Sequence, residues 1–179
     1  MYDQCEDTLL LIDSISEYSG SSVLEIGVGS GGICRKLIEN FSFVVGTDVD
    51  IESIKFCKKN ISKIHWICCD VVSAICGKFD LIVSNPPYLP NEDTYDSQDR
   101  TVYGGKEGIE LTCRFIEDSI PLLKMNGKII IVCSSLANLE SLENFISYKN
   151  LEKKIINTKK IFFETLYVYE LKFKSCKNS

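Results

Sequence analysis

A doubly wound α/β fold is what the sequence predicts: a mostly parallel seven-stranded sheet between helices, with an antiparallel strand at its C-terminal end. Three observations carry this. A short apolar run, Val23-Leu24-Glu25-Ile26, enters a glycine-rich turn and then a helical stripe, which is the first unit of such a sheet. Further apolar runs each stop at a carboxylate or amide, at Asp48, Asp70 and Asn85. Finally, Ile129-Ile130-Ile131-Val132 is a continuous apolar run of the kind buried on both faces of a parallel sheet.

Taken in order, Leu11, Ile12 and Ile15 fall at helical spacing, so residues 6–18 read as a helix within an N-terminal helical segment, 1–19. Its first turn holds Glu6, Asp7 and Thr8, which capping and dipole compensation explain from spacing alone. After strand 23–26 comes Gly27-Val28-Gly29-Ser30-Gly31-Gly32, followed by Ile33, Cys34, Leu37, Ile38 and Phe41 at helical spacing. Glycines here let a ligand approach the backbone and the helix N-terminus. Gly27, Gly29 and Gly32 satisfy the dinucleotide pattern G-x-G-x-x-G as well as the looser E-x-G-x-G-x-G of S-adenosylmethionine enzymes. Glu25 favours the latter, because a carboxylate suits a cationic sulfonium ligand and would repel a pyrophosphate.

The second strand, 43–47, ends at Asp48, placed to accept two ribose hydroxyls, and Asp50 reads as the N-cap of a helix with Ile51, Ile54 and Cys57 inward. The third strand, Ile64-His65-Trp66-Ile67-Cys68-Cys69, ends at Asp70 and Val71. Asp70 suits either an adenine amino group, with Val71 against the ring, or the N-cap of a helix over 72–76. In the usual order of such sheets this strand lies at an edge, and with no lysine inside it the edge is poorly protected.

The fourth strand runs through Phe79-Asp80-Leu81-Ile82-Val83 and is stopped by Pro86 and Pro87, which have no amide hydrogen for a ladder. That leaves Asn85 at the strand's tip. Its amide oxygen and the Pro86 carbonyl can together accept the two hydrogens of an NH2 group, with Tyr88 as a flat face beside them. The polar run 89–108 reads as a substrate-side loop. Residues 109–123 follow as a helix kinked at Pro121, then an Asn126-Gly127 turn, a strand over 128–133, an amphipathic helix over 138–148 and a strand pair over 151–156 and 165–173 turning at Asn157-Thr158.

Composition narrows the classes. The 179 residues suit one domain spanning 1–179; they are 45% hydrophobic and carry a net charge of −5. That charge gives no footprint for a nucleic-acid backbone. No run is long enough for a membrane span, and the acidic N-terminus is unlike a secretory signal, so the expected location is cytoplasmic. Nine cysteines with no C-x-x-C pair and a single histidine, His65, point to neither a metal site nor a disulfide framework.

With these residues placed, the chain resembles the HemK-type release-factor glutamine methyltransferases, and more closely their short archaeal and eukaryotic branch. The resemblance runs nearly end to end, through Y-x-x-x-E-D-T-x-L-L from Tyr2, E-x-G-x-G-S-G from Glu25, N-P-P-Y from Asn85, the following G-G-x-x-G and the aromatic closing strand. It implies a Rossmann-like class I methyltransferase domain using S-adenosyl-L-methionine, bound by Thr8, Glu25, Gly27, Gly29, Asp48, Asp70, Val71 and Asn85. It further implies that Asn85, Pro86, Pro87 and Tyr88 hold and orient the substrate amide. The implied substrate is the Gly-Gly-Gln glutamine of a class I peptide release factor. The implied partner is a small zinc-binding activator subunit, expected on the edge strand from Ile64 to Cys69. Adenine or lysine methylation is the alternative within the class; outside it stand a dinucleotide-binding oxidoreductase and a non-catalytic S-adenosylmethionine-binding module.

Overall fold

Alternation of apolar side chains along the strands decides how the chain layers. In the computed structural model, which describes residues 5–90 and 103–175, the elements run α1 (Glu6–Ile15), β1 (Gly20–Ile26), α2 (Gly32–Leu37), β2 (Phe41–Asp48), α3 (Ile51–Asn60), β3 (His65–Cys68), β4 (Phe79–Ser84), β5 (Leu89–Pro90) and β6 (Tyr103–Gly105). There follow α4 (Glu110–Ser119), a 3-10 turn (Ile120–Leu122), β7 (Leu123–Ser134), α5 (Leu139–Tyr148), β8 (Leu151–Lys160) and β9 (Thr165–Phe173). Seven strands form one sheet in the order β3-β2-β1-β4-β7-β9-β8, with β9 antiparallel to both neighbours.

Val23, Leu81, Val83, Ile130, Val132 and Val168 face one side, where α1, α2 and α3 pack through Leu11, Ile33, Leu37 and Ile54. Leu24, Ile82, Ile129, Ile131 and Tyr169 face the other, covered by Phe115 and Ile116 of α4 and Leu142 and Ile146 of α5. This period-two segregation is what fixes the register, since a one-residue slip would turn each set outward.

Asp50 caps α3 as expected, accepting from the amides of Glu52 and Ser53. Several boundaries differ from expectation. Phe41 opens β2 instead of closing α2, and Ile51 stands exposed at the first position of α3. No helix follows Asp70; residues 71–74 form turns, with the Ser73 amide donating to the Asp70 carbonyl. Asn126-Gly127 is not a turn between elements. It lies inside β7, where pairing jumps from Phe79↔Leu123 to Leu81↔Lys128, and a side chain on Gly127 would crowd Lys124 and the Phe79 carbonyl. Asn157-Thr158 likewise continues β8 beyond a register shift, and the hairpin turns at residues 161–164 instead. The β8 bulge absorbs one extra residue and the β7 irregularity three, and neither ends its strand.

Most of the expected loop 89–108 lies outside the described residues. Its two ends pair as the short β5–β6 sheet.

Candidate functional site

Pairing of Ile26 with Ser84 brings the ends of β1 and β4 side by side. The strand order reverses between these two strands, so a crevice opens beyond their carboxyl ends, the position that open α/β sheets give to ligands. The Ser84 hydroxyl donates to the Ile26 carbonyl at 2.9 Å and locks the two tips together. The glycine turn after β1 and the Asn-Pro-Pro-Tyr segment after β4 therefore share one site.

The glycine turn is open on its outer side. Gly27 and Gly29 have φ of 79° and 48°, a left-handed conformation that glycine adopts without penalty. A Cβ built on either would meet nothing within 4 Å, so both border free space. The third left-handed glycine is Gly31, at 78°, not Gly32, which already belongs to α2. The turn thus follows the E-x-G-x-G-x-G spacing. Gly31 is packed from behind by Ile61, Cys57 and Trp66, and the Gly27 and Val28 amides donate to the Thr47 carbonyl at the end of β2. Asp48 accepts from the Gly29 amide at 2.9 Å and from the Asp50 amide at 2.9 Å, which ties the turn to β2.

Beneath this turn Glu25 is fully buried, and among the described residues neither carboxyl oxygen has a hydrogen-bond partner at normal distance. Burial pushes its carboxyl up to about 8; the nearby Cys34 thiol and amide oppose the rise, and the Asp48 carboxylate adds to it. A ligand bearing a positive charge would supply what this carboxylate lacks.

Across the crevice, the Asn85 side chain donates from Nδ2 to the Thr8 hydroxyl at 3.4 Å. Among the described residues its oxygen Oδ1 is left buried without a partner, an arrangement that costs free energy unless a ligand N–H arrives. Pro86 is buried, while Pro87 and Tyr88 are half-buried. The Tyr88 hydroxyl donates to Asp7 Oδ2 at 3.1 Å, and burial together with the Asp7 carboxylate pushes the phenol well above its usual range. The first turn of α1 thus does more than cap: Asp7 and Thr8 hold Tyr88 and Asn85 in place. Cys5 at the N-cap makes no side-chain capping bond.

Asp70 lies farther along the rim, where Arg114 of α4 donates to its Oδ2 at 2.6 Å. Val71 beside it has φ of 50°, a strained conformation for a β-branched residue and one that clusters at functional sites. The Thr47 hydroxyl holds its carbonyl at 2.9 Å.

Sequence reasoning missed what supports the Asn-Pro-Pro-Tyr segment. A side chain on Gly104 would overlap the Pro87 carbonyl, and one on Gly108, where φ is 74°, would overlap the Tyr88 carbonyl. The G-G-x-x-G run is therefore a close backbone-to-backbone buttress. Gly108→Ala should destabilise the protein by about 2 kcal/mol or more through strain and overlap. Thermal unfolding should show Tm lower by at least about 4 °C, and an unchanged Tm would mean the segment does not rest on Gly108.

The chain matches the methyltransferase small domain family model over residues 5–162. A Methanocaldococcus jannaschii protein, provisionally named protein N5-glutamine methyltransferase, is 33% identical over 178 residues, covering 94% of this chain and 89% of that one. The release factor glutamine methyltransferase of Lactococcus lactis is 28% identical over 141 residues, and the match spans 52% of its length. Among solved structures, the E. cuniculi Mtq2–Trm112 complex, described as responsible for methylation of the eRF1 translation termination factor, superposes with a TM-score of 0.79 at 23% identity. That match covers 97% of this chain and 98% of the matched one.

Proposed function

The chain belongs to the methyltransferase small domain family, and from that membership we propose that it methylates the N5 amide nitrogen of the Gly-Gly-Gln glutamine in a class I peptide release factor. The observation that carries the reading is the Asn85 amide at the crevice shared with the glycine turn, its Nδ2 donating to Thr8 and its Oδ1 without a partner among the described residues. Gly27 and Gly29 offer backbone to S-adenosylmethionine, Glu25 its charge, Asp48 an acceptor for ribose hydroxyls, and Asp70 with Val71 an adenine subsite. S-adenosylmethionine, when bound, supplies an electrophilic methyl group.

An amide nitrogen is a poor nucleophile. Asn85 Oδ1 and the Pro86 carbonyl would accept its two hydrogens, fix its lone-pair direction and raise its electron density, while Tyr88, anchored by Asp7, flanks the amide plane. Positioning of this kind can supply ~7–11 kcal/mol in favourable cases. The proton released from nitrogen passes to solvent.

Residues 89–108 form the substrate side of the crevice in this reading, and the enzyme works in the cytoplasm. Among the described residues no helix is long and apolar enough to cross a membrane. The small zinc-binding activator subunit would add a strand to β3, the outermost strand on its side of the sheet. Around it lie Ile61, Ile64 and Ile67 in a groove and the exposed Phe43 ring 4.7 Å from His65. β8, at the opposite edge, is blunted by Lys153, Lys154, Lys159, Lys160 and its register shift.

Labelled methyl transfer to a release factor and to its Gln→Ala variant, with and without the activator, tests the assignment. Label should enter only the glutamine-bearing protein, and equal labelling of both would overturn the glutamine assignment. The oxidoreductase alternative falls with family membership. Adenine or lysine methylation would show as label in those acceptors instead.

A further inference from the structure

Beyond the atoms that hold the reacting amide, a protein substrate must rest on the rim around them, and the rim has an apolar side. The β8–β9 hairpin turns at residues 161–164, at the same end of the sheet as the crevice, because β9 runs antiparallel to β7 and Ser134 pairs with Leu166. Ser84 of β4 pairs with Ile131, so the hairpin stands beside the end of the neighbouring strand, roughly 10 Å beyond that pair along β7.

At the tip, Phe162 and Phe163 are 98% and 90% exposed, their ring centroids 5.9 Å apart. The turn that carries them is braced. The Ile161 amide donates to the Glu164 carbonyl, the Thr165 amide to the Ser135 hydroxyl and the Ser134 hydroxyl to the Glu164 carboxylate. Ile161, half-buried, packs against the core.

The tip is continuous with the transfer site. Lys159, at the end of β8, pairs at 3.6 Å with Glu6 in the turn of α1 that carries Asp7 and Thr8, and the Glu164 charge is felt at the Tyr88 hydroxyl. Leu136 in the loop after β7 and Leu9 beside Thr8 are each 45% exposed and extend the apolar rim. Two fully exposed phenylalanines each forgo roughly 1.5–3 kcal/mol of burial, so a braced pair bordering a site for a protein substrate has a ready use. The β3 edge lies five strands from β9 and six from β8, roughly 24–29 Å, so an activator seated there leaves this tip free.

We infer that Phe162 and Phe163 form an apolar docking site for the substrate protein, engaging the folded surface around its glutamine-bearing loop while the glutamine amide reaches Asn85. The inference rests on the release-factor reading above and names how that substrate is held.

The test compares the chain, co-expressed with its activator, with F162S/F163S, with the conservative F162L/F163L, and with M125S/Y148S as a control. Met125 and Tyr148 are 87% and 83% exposed on other parts of the surface. The expected result is a rise of about tenfold or more in KM for the release factor in F162S/F163S. Its kcat should stay within about threefold and its S-adenosylmethionine affinity and Tm should be unchanged, F162L/F163L should recover most of the loss, and the control should behave as wild type. If wild type methylates the release factor and F162S/F163S keeps its KM, or loses kcat alone, or if the control loses as much, the docking site is wrong and the substrate assignment stands. If wild type fails to methylate the release factor at all, the assignment itself falls, and the docking site with it.

Discussion

Asn85→Ala should lower methyl transfer by about 10³-fold while leaving S-adenosylmethionine binding within a few-fold of wild type. The expectation comes from how little the side chain does for the fold. Among the described residues its side chain makes one hydrogen bond, to Thr8, long at 3.4 Å, and its oxygen is buried without a partner. Removing an unsatisfied buried oxygen relieves a desolvation cost, so the variant should melt within a few degrees of wild type or slightly above it. Catalytic loss with intact stability and cofactor affinity separates an orienting acceptor from a structural one. Single-turnover transfer to a release factor, calorimetric titration of the cofactor and thermal unfolding together check this. Retained activity would move the chemistry away from the tip of β4, whereas joint loss of stability and activity would make Asn85 a structural residue.

Glu25 should couple both stability and cofactor binding to pH. Its carboxyl is raised from 4.5 to about 8 by burial, so between those values the folded protein holds a proton that the unfolded chain has lost. Stability of the ligand-free protein therefore falls as pH rises from about 4.5 to 8 and levels off above. The total effect is at most roughly 5 kcal/mol. A cationic ligand that needs the ionised carboxylate must expel this proton at neutral pH. S-adenosylmethionine binding at pH 7 should thus release close to one proton, visible as a dependence of calorimetric heat on the buffer's ionisation enthalpy, and should tighten toward pH 8. Glu25→Gln should remove the proton release, flatten the stability slope and weaken the cofactor by about tenfold to a hundredfold. No proton release from wild type, or an unaltered slope in the variant, would separate Glu25 from the ligand's charge.

Much of this site was legible in the sequence because its signals are local. A glycine turn after a strand and a proline-stopped strand each announce a backbone conformation, and both lie where expected, brought together by the Ile26–Ser84 register. What the sequence withheld was long-range. Asp7 meets Tyr88 across the chain, Arg114 meets Asp70, and Gly104 and Gly108 brace Pro87 and Tyr88, contacts that no window of neighbouring residues encodes. The two misplaced turns share another cause. Asn-Gly and Asn-Thr are turn-forming in isolation, but at 157–158 Val168 and Tyr167 supply ladder partners that outweigh local preference, and at 126–127 the chain bulges between Leu123 and Lys128, where pairing with β4 resumes, so that register shifts take up the misfit at both places. The third left-handed glycine was ambiguous for a simpler reason, since Gly31 and Gly32 are adjacent and only the backbone tells which one turns.

Trp66 has a consequence of another kind. It is the chain's single tryptophan; its ring occupies the space that a side chain on Gly46 would need and lies in van der Waals reach of Gly31, with its indole N–H toward the Ile61 carbonyl at 3.4 Å. One chromophore therefore touches both the back of the ligand-facing bend and the outermost strand. Its emission makes the protein its own optical gauge, sensitive to events on either side of that ring without any attached label.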